Sequence, residues 1–131
     1  MGDFLRIDAE KQILLIHFEG VVTDESLLDG YRRVRKYFIE HGHCGNISDF
    51  TGVTSFEVTA RAIRSLASNT PLVPESFVRI LVAPKDEVYG MARMFEMAGS
   101  MMGNRVDIVR SLGEAYQLAG IDGRGLQKIE E

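Results

Sequence analysis

Cysteine, proline and tryptophan are scarce in this chain: 131 residues contain one cysteine, three prolines and no tryptophan. With Cys44 alone, no internal disulfide can form, so the core must hold without staples, and a reducing compartment, read as the cytoplasm, is expected. No apolar stretch is longer than Ile13–Ile16, far short of the roughly 20 residues that a spanning helix needs. Asp3, Arg6, Asp8, Glu10 and Lys11 interrupt the first segment, so an apolar leader of secretory type is not expected there. A net charge of -4 leaves no broad basic footprint, and no nucleic-acid partner is expected.

What is present is an ordinary globular mixture, 45% hydrophobic and 26% charged, in a length that suits one domain. Phe4–Asp8 alternates and Ile13–Phe18 is a continuous β-rich run, so an antiparallel hairpin is predicted across the polar link 9–12. The second strand belongs inside the sheet, the first lies towards an edge, and Gly20 closes the second. Thr23 or Asp24 caps a helix with Leu27, Leu28, Tyr31, Val34 and Phe38 on one face, and Gly42 stops it. A short strand over 45–50, a turn at Thr51-Gly52, and a helix with Phe56, Ala60, Ile63 and Leu66 on one face follow; Asn69, Pro71 and Pro74 end that helix.

Phe77–Ala83 is the next strand, and Asp86 is placed to cap a helix running to about Met102. A last strand over 104–109 precedes a short helix that opens with the capping box Ser111…Glu114. The order β-β-α-β-α-β-α-β-α predicts an α/β fold: a single mixed, mostly parallel sheet of about five strands with an N-terminal hairpin and four helices. The domain is read as residues 1–121, and residues 122–131 as a polar, frayed C-terminal tail.

The run Asp49-Phe50-Thr51-Gly52-Val53-Thr54 resembles the D-L-S-G-V-T stretch of STAS domains, the anti-sigma factor antagonist family. Tyr89–Phe95 and Ser111–Ala115 look like the SpoIIAA-like branch of that superfamily, related in turn to SEC14-type domains. The resemblance spans residues 4–121 in element order and implies a non-enzymatic regulatory module that binds a protein partner. In such switches a D-S-S-G segment supplies a phosphate-accepting serine at the start of the next helix. Here Thr59 falls on the acceptor position, while Glu57, Val58 and Ala60 depart from the pattern. Thr59 is thus the implied switch residue, and Thr54, Ser55, Glu57, Thr59 and Arg61 form the implied partner surface.

Other clusters weigh less. His41-Gly42-His43-Cys44 packs imidazoles and a thiol into consecutive positions with no second ligand pair, so a metal site is not expected. Cys44 enters an interior strand, which favours an inert thiol. The carboxylates read as scattered over helix surfaces, no glycine-rich phosphate loop follows a strand, and neither a catalytic site nor a cofactor is implied. Lys11, Arg32, Arg33, Arg35 and Lys36, beside Tyr31 and Tyr37, read as a solvated basic face.

The third helix is rich in methionine. Val88, Met91, Ala92, Phe95, Ala98 and Met102 form its core face, and Gly90, Met94, Met97 and Met101 form a second ridge. That ridge suits core packing, a homodimer face, or the lining of a pocket for an apolar small molecule or lipid, the rival reading.

Overall fold

The computed structural model describes residues 2–68, 76–100 and 105–131. Elements follow in the order β1 (Phe4–Asp8), β2 (Ile13–Thr23), α1 (Asp24–His41), β3 (Gly45–Glu57), α2 (Ala60–Ser68), β4 (Arg79–Val82), α3 (Asp86–Ser100), β5 (Asp107–Val109), α4 (Leu112–Ala119) and β6 (Gln127–Lys128). They build one α/β layer structure on a six-stranded sheet of order β5-β4-β3-β2-β1-β6. β2, β3, β4 and β5 run parallel, and β1 is antiparallel to both β2 and β6. Among the described residues no helix is long and apolar enough to cross a membrane.

β2 shows why this sheet has helices on both sides. Leu14, Ile16 and Phe18 face one way and pack with Leu27, Val34, Phe38, Ile63, Val88 and Phe95 of α1, α2 and α3. Ile13 and Leu15 face the other way and join Ile47, Ile80, Val82, Val109 and Ala115, where α4 covers the sheet. Successive parallel strands step in one direction, and right-handed crossovers then put the three connecting helices on one face. α1 lies close to the sheet because Gly30 faces Phe18: a β-carbon there would fall 2.6 Å from the ring.

Local chemistry explains the boundaries. Thr23 caps α1 reciprocally with Ser26, each side chain meeting the other's backbone N–H at 3.2 and 2.8 Å. Ser111 accepts from the Glu114 N–H at 3.2 Å and opens α4 as expected. The Asp8 carboxylate accepts from the Lys11 N–H at 2.9 Å and turns the predicted hairpin.

Three expectations are corrected. β2 passes through Gly20 to Thr23, and β3 passes through Thr51-Gly52 to Glu57, because two register shifts in the β2–β3 ladder absorb these residues without ending the pairing. Phe56 therefore belongs to β3, and α2 begins at Ala60. The segment read as a frayed tail supplies β6: Gln127 and Lys128 pair with Ile7 and Arg6, and the Ile129 N–H donates to the Leu5 carbonyl at 2.9 Å. The stop expected at Asn69, Pro71 and Pro74 lies outside the described residues.

Arg33 ties down the end of this strap. Its guanidinium forks onto Glu131, with one bond at 2.7 Å from Nε, and also donates to the Asp3 carbonyl at 3.1 Å. That hydrogen bond holds the Glu131 carboxyl below the usual carboxylate range, against a smaller opposing effect of burial. A lowered folded pKa means that the pair stabilises above the ordinary carboxylate pKa and is lost as pH falls through the lowered one. The pair is partly exposed, so the expected loss on acidification, or in Arg33→Ala, is on the order of 1 kcal/mol or less. Lower protection factors at Leu126–Ile129, corrected for the intrinsic pH dependence of exchange, as pH falls below the ordinary carboxylate range would report it, and protection factors unchanged from neutral pH would contradict it.

Candidate functional site

The two longest strands, β2 and β3, outrun their neighbours. β1 pairs with β2 only up to His17, and β4 pairs with β3 only up to Asp49. Beyond that line a parallel ribbon of Glu19–Thr23 against Gly52–Glu57 projects from the carboxyl ends of the strands and delivers the chain into α2. All five residues of the implied partner surface lie on this ribbon or just past it. Thr54, Glu57, Thr59 and Arg61 are exposed and Ser55 is half-buried.

The ribbon is pinned at its far end by a clasp between α1 and α2. Asp24, in the first turn of α1, receives the Thr59 backbone N–H on Oδ1 at 2.7 Å and the Thr59 hydroxyl on Oδ2 at 2.8 Å. The same hydroxyl accepts from the Ala62 N–H at 3.2 Å, so Thr59 is the N-cap of α2 rather than a residue inside its first turn. Ser55 donates to Glu57 Oε2 at 3.0 Å along the exposed edge. A phosphoryl group on Thr59 would displace the hydroxyl proton that Asp24 binds and put two anions face to face.

At its base the ribbon is pinned by a cross-strand cluster that the sequence reading missed. His17 Nδ1 lies 2.8 Å from Asp49 Oδ2 and Nε2 lies 3.0 Å from Glu19 Oε2, and the ring stacks on Phe4 at 4.7 Å between centroids. Asp49 is only 3% exposed, and its other oxygen accepts from the Thr51 N–H at 2.9 Å. Ionised carboxylates only accept, so both contacts are filled when each ring nitrogen carries a proton. Gly52 leaves room for this: a β-carbon there would fall 2.8 Å from His17 Nε2 and 3.0 Å from Glu19 Oε1. Both nitrogens being held by carboxylates, neither faces a hydroxyl or thiol that it could activate. The carboxylates are thus not all scattered over helices, since Glu19 of β2 and Asp49 of β3 converge on His17. The signal available was His17 at the α4-facing register of β2, one strand from the Asp49 motif.

The other sequence candidates separate in space. His41 lies against Tyr37 and His43 against Phe38, both exposed, while Cys44 is buried. Among the described residues no group of three or more His, Cys, Asp and Glu side chains could hold a metal ion. Burial pushes the Cys44 thiol up to about 11, with a backbone hydrogen bond from Leu14 opposing it, so the thiolate is disfavoured at neutral pH. Two residues leave the basic face: Arg33 binds Glu131, and the Tyr31 hydroxyl turns inward to donate to Ser48 at 2.8 Å.

On α3, Val88, Ala92 and Phe95 are buried, and Met91 and Ala98 pack partly on the same core. The second ridge divides. Met94 also packs on that core, Gly90 is exposed, Met97 is 65% exposed, and Met101, like Met102, lies outside the described residues. Between α1, α2, α3 and the sheet is an apolar cavity of about 30 Å³, lined by Tyr31, Phe50, Phe56, Ile63, Met91 and Phe95 among others.

Two outcomes follow. Asp49→Ala, which strands His17 and the Thr51 N–H, is expected to lower unfolding free energy by about 2 to 4 kcal/mol, and Thr59→Ala by about 1 kcal/mol through the lost cap. Denaturant titration measures both, and equal, negligible losses would contradict the two pins. Cys44 is expected to react with an alkylating reagent only after unfolding, and rapid labelling of the native protein would contradict its burial. No family model, curated protein or solved structure matches this chain.

Proposed function

We propose that the chain is a STAS-like, non-enzymatic interaction module of the cytoplasm whose recognition surface is the rim from Thr54 to Arg61. The single observation that carries this reading is that five polar side chains line one strand-to-helix edge, held by Glu57 pairing with Thr23 and by the Thr59–Asp24 clasp. A surface already ordered when free loses less entropy when a partner docks. The element order expected from the STAS resemblance adds support, as does the continuity of the Asp49–Thr54 run with this rim. The free, buried Cys44 fits a reducing compartment.

The carrier reading draws less support. A lipid-sized ligand needs roughly 300 Å³ or more, whereas the cavity under α3 holds about 30 Å³, so α2 and α3 would have to part.

Affinity capture from a bacterial lysate, with wild type and with the exposed Arg61→Glu, tests the rim. A partner retained by wild type and lost by the folded variant is expected, and equal retention by both contradicts the assignment. Self-association through α3 is tested by light scattering on wild type and Met97→Glu. A dimer that becomes a folded monomer supports that face, and monomers in both cases exclude it.

A further inference from the structure

The opposite end of the sheet carries a second feature, independent of the rim. Beside the start of β4 a cavity of about 230 Å³ opens, and its walls among the described residues are Ser76, Phe77, Val78, Arg79, Arg105 and Asp107. Unlike the cavity under α3, it is polar as well as apolar.

Arg79 occupies an unusual position. Strand alternation puts it on the same side as Leu81, facing the layer of α1, α2 and α3. It is half-buried, its guanidinium carbon lies 5.0 Å from the Phe95 ring centroid, and its charge also interacts with the Tyr31 phenol. Burial lowers its pKa, with the Tyr31 phenol opposing that shift. Among the described residues neither Arg79 nor Arg105 donates a hydrogen bond or meets a carboxylate within ion-pair range. Two arginines and one acid, Asp107, are among the described wall residues, and Asp107, in register with Ile80, lies on the α4 face of the sheet, opposite Arg79.

A guanidinium withdrawn from water is costly unless it is paired, and stacking on Phe95 fills none of its five N–H donors. Its planar fork matches the two oxygens of a carboxylate or phosphate, a fit that a lysine would not give. We propose that this cavity binds a small oxyanion, a phosphate or carboxylate group, with Arg79 gripping it from the β4 wall and Arg105 closing on it from the exposed side. Ser76 is a further polar residue among the described walls.

The test is the thermal midpoint of the full chain, titrated at constant ionic strength with inorganic phosphate, with succinate, and with chloride as control. A saturable rise with phosphate or succinate and none with chloride is expected, and whichever anion acts names the source of the oxyanion. Arg79→Met, which keeps an unbranched apolar stem and removes the guanidinium, should abolish the rise. Arg105→Ala, at an exposed position, should weaken binding at least tenfold and serves alone should Arg79→Met fail to fold. No anion-specific rise in wild type, or the same rise in the folded variants, would overturn the proposal and leave Arg79 as a residue stacked on Phe95.

Discussion

Burial of β2 on both faces is the constraint on which the rest of the structure depends. Five of its first six residues are buried, and they divide by alternation between two separate cores. A strand of that kind cannot lie at an edge, so β1 must cover one side and β3 the other. Each face then needs its own helices, and the short crossovers give α1, α2 and α3 to one face and leave α4 for the other. α4 also returns the chain to the β1 edge, where β6 finishes the sheet. Removing apolar bulk from Ile16 or Phe18 would therefore cost more than a local contact, since the same strand organises both layers.

Where neighbouring strands stop, β2 and β3 continue together, and this is how a packing constraint becomes a surface. Past His17 and Asp49 the ribbon has only its own ladder and its pins. The His17 cluster grips its base through β1, β2 and β3 at once: Phe4 lies under the ring, Asp49 and Glu19 hold its two nitrogens, and Asp3 receives the Glu19 N–H at 2.9 Å. The Asp24–Thr59 clasp grips its tip. At the other end of the parallel strands, Arg79 lies at the beginning of β4 with no such partners. One end of the sheet is satisfied internally and shows an ordered polar edge, and at the other Arg79 meets no carboxylate among the described residues.

Elements whose signal is local were legible in the residues. The hairpin, the core face and cap of α1, the Ser111 cap of α4, and the run that becomes β4 each depend on periodicity or on side chains within a few positions. What was not legible depends on pairing between distant segments. Gly20 and Thr51-Gly52 look like breakers in isolation, yet Gly20 pairs with Val53 and Gly52 with Glu19, and the ladder runs on past its register shifts. Phe56 fits a helical spacing with Ala60 and Ile63, but the ladder claims it first. Residues 122–131 have too little apolar content to suggest a strand, and their order comes from an open β1 edge and from Arg33, almost a hundred positions away. The His17 cluster is invisible for the same reason: two carboxylates thirty positions apart converge on His17 only once the β2–β3 register is known.

The rim is an ordered continuation of the β2–β3 ladder rather than a loop leading into α2, and residue-resolved amide hydrogen exchange on the free protein distinguishes the two. Ladder amides between Gly52 and Glu57, together with the Thr59 N–H, are expected to be protected well beyond loop values, near those of Ile47–Asp49. Exchange at loop rates from Thr51 onward, with protection confined to 45–50, would contradict it and remove the ordered edge from which the interaction surface is argued.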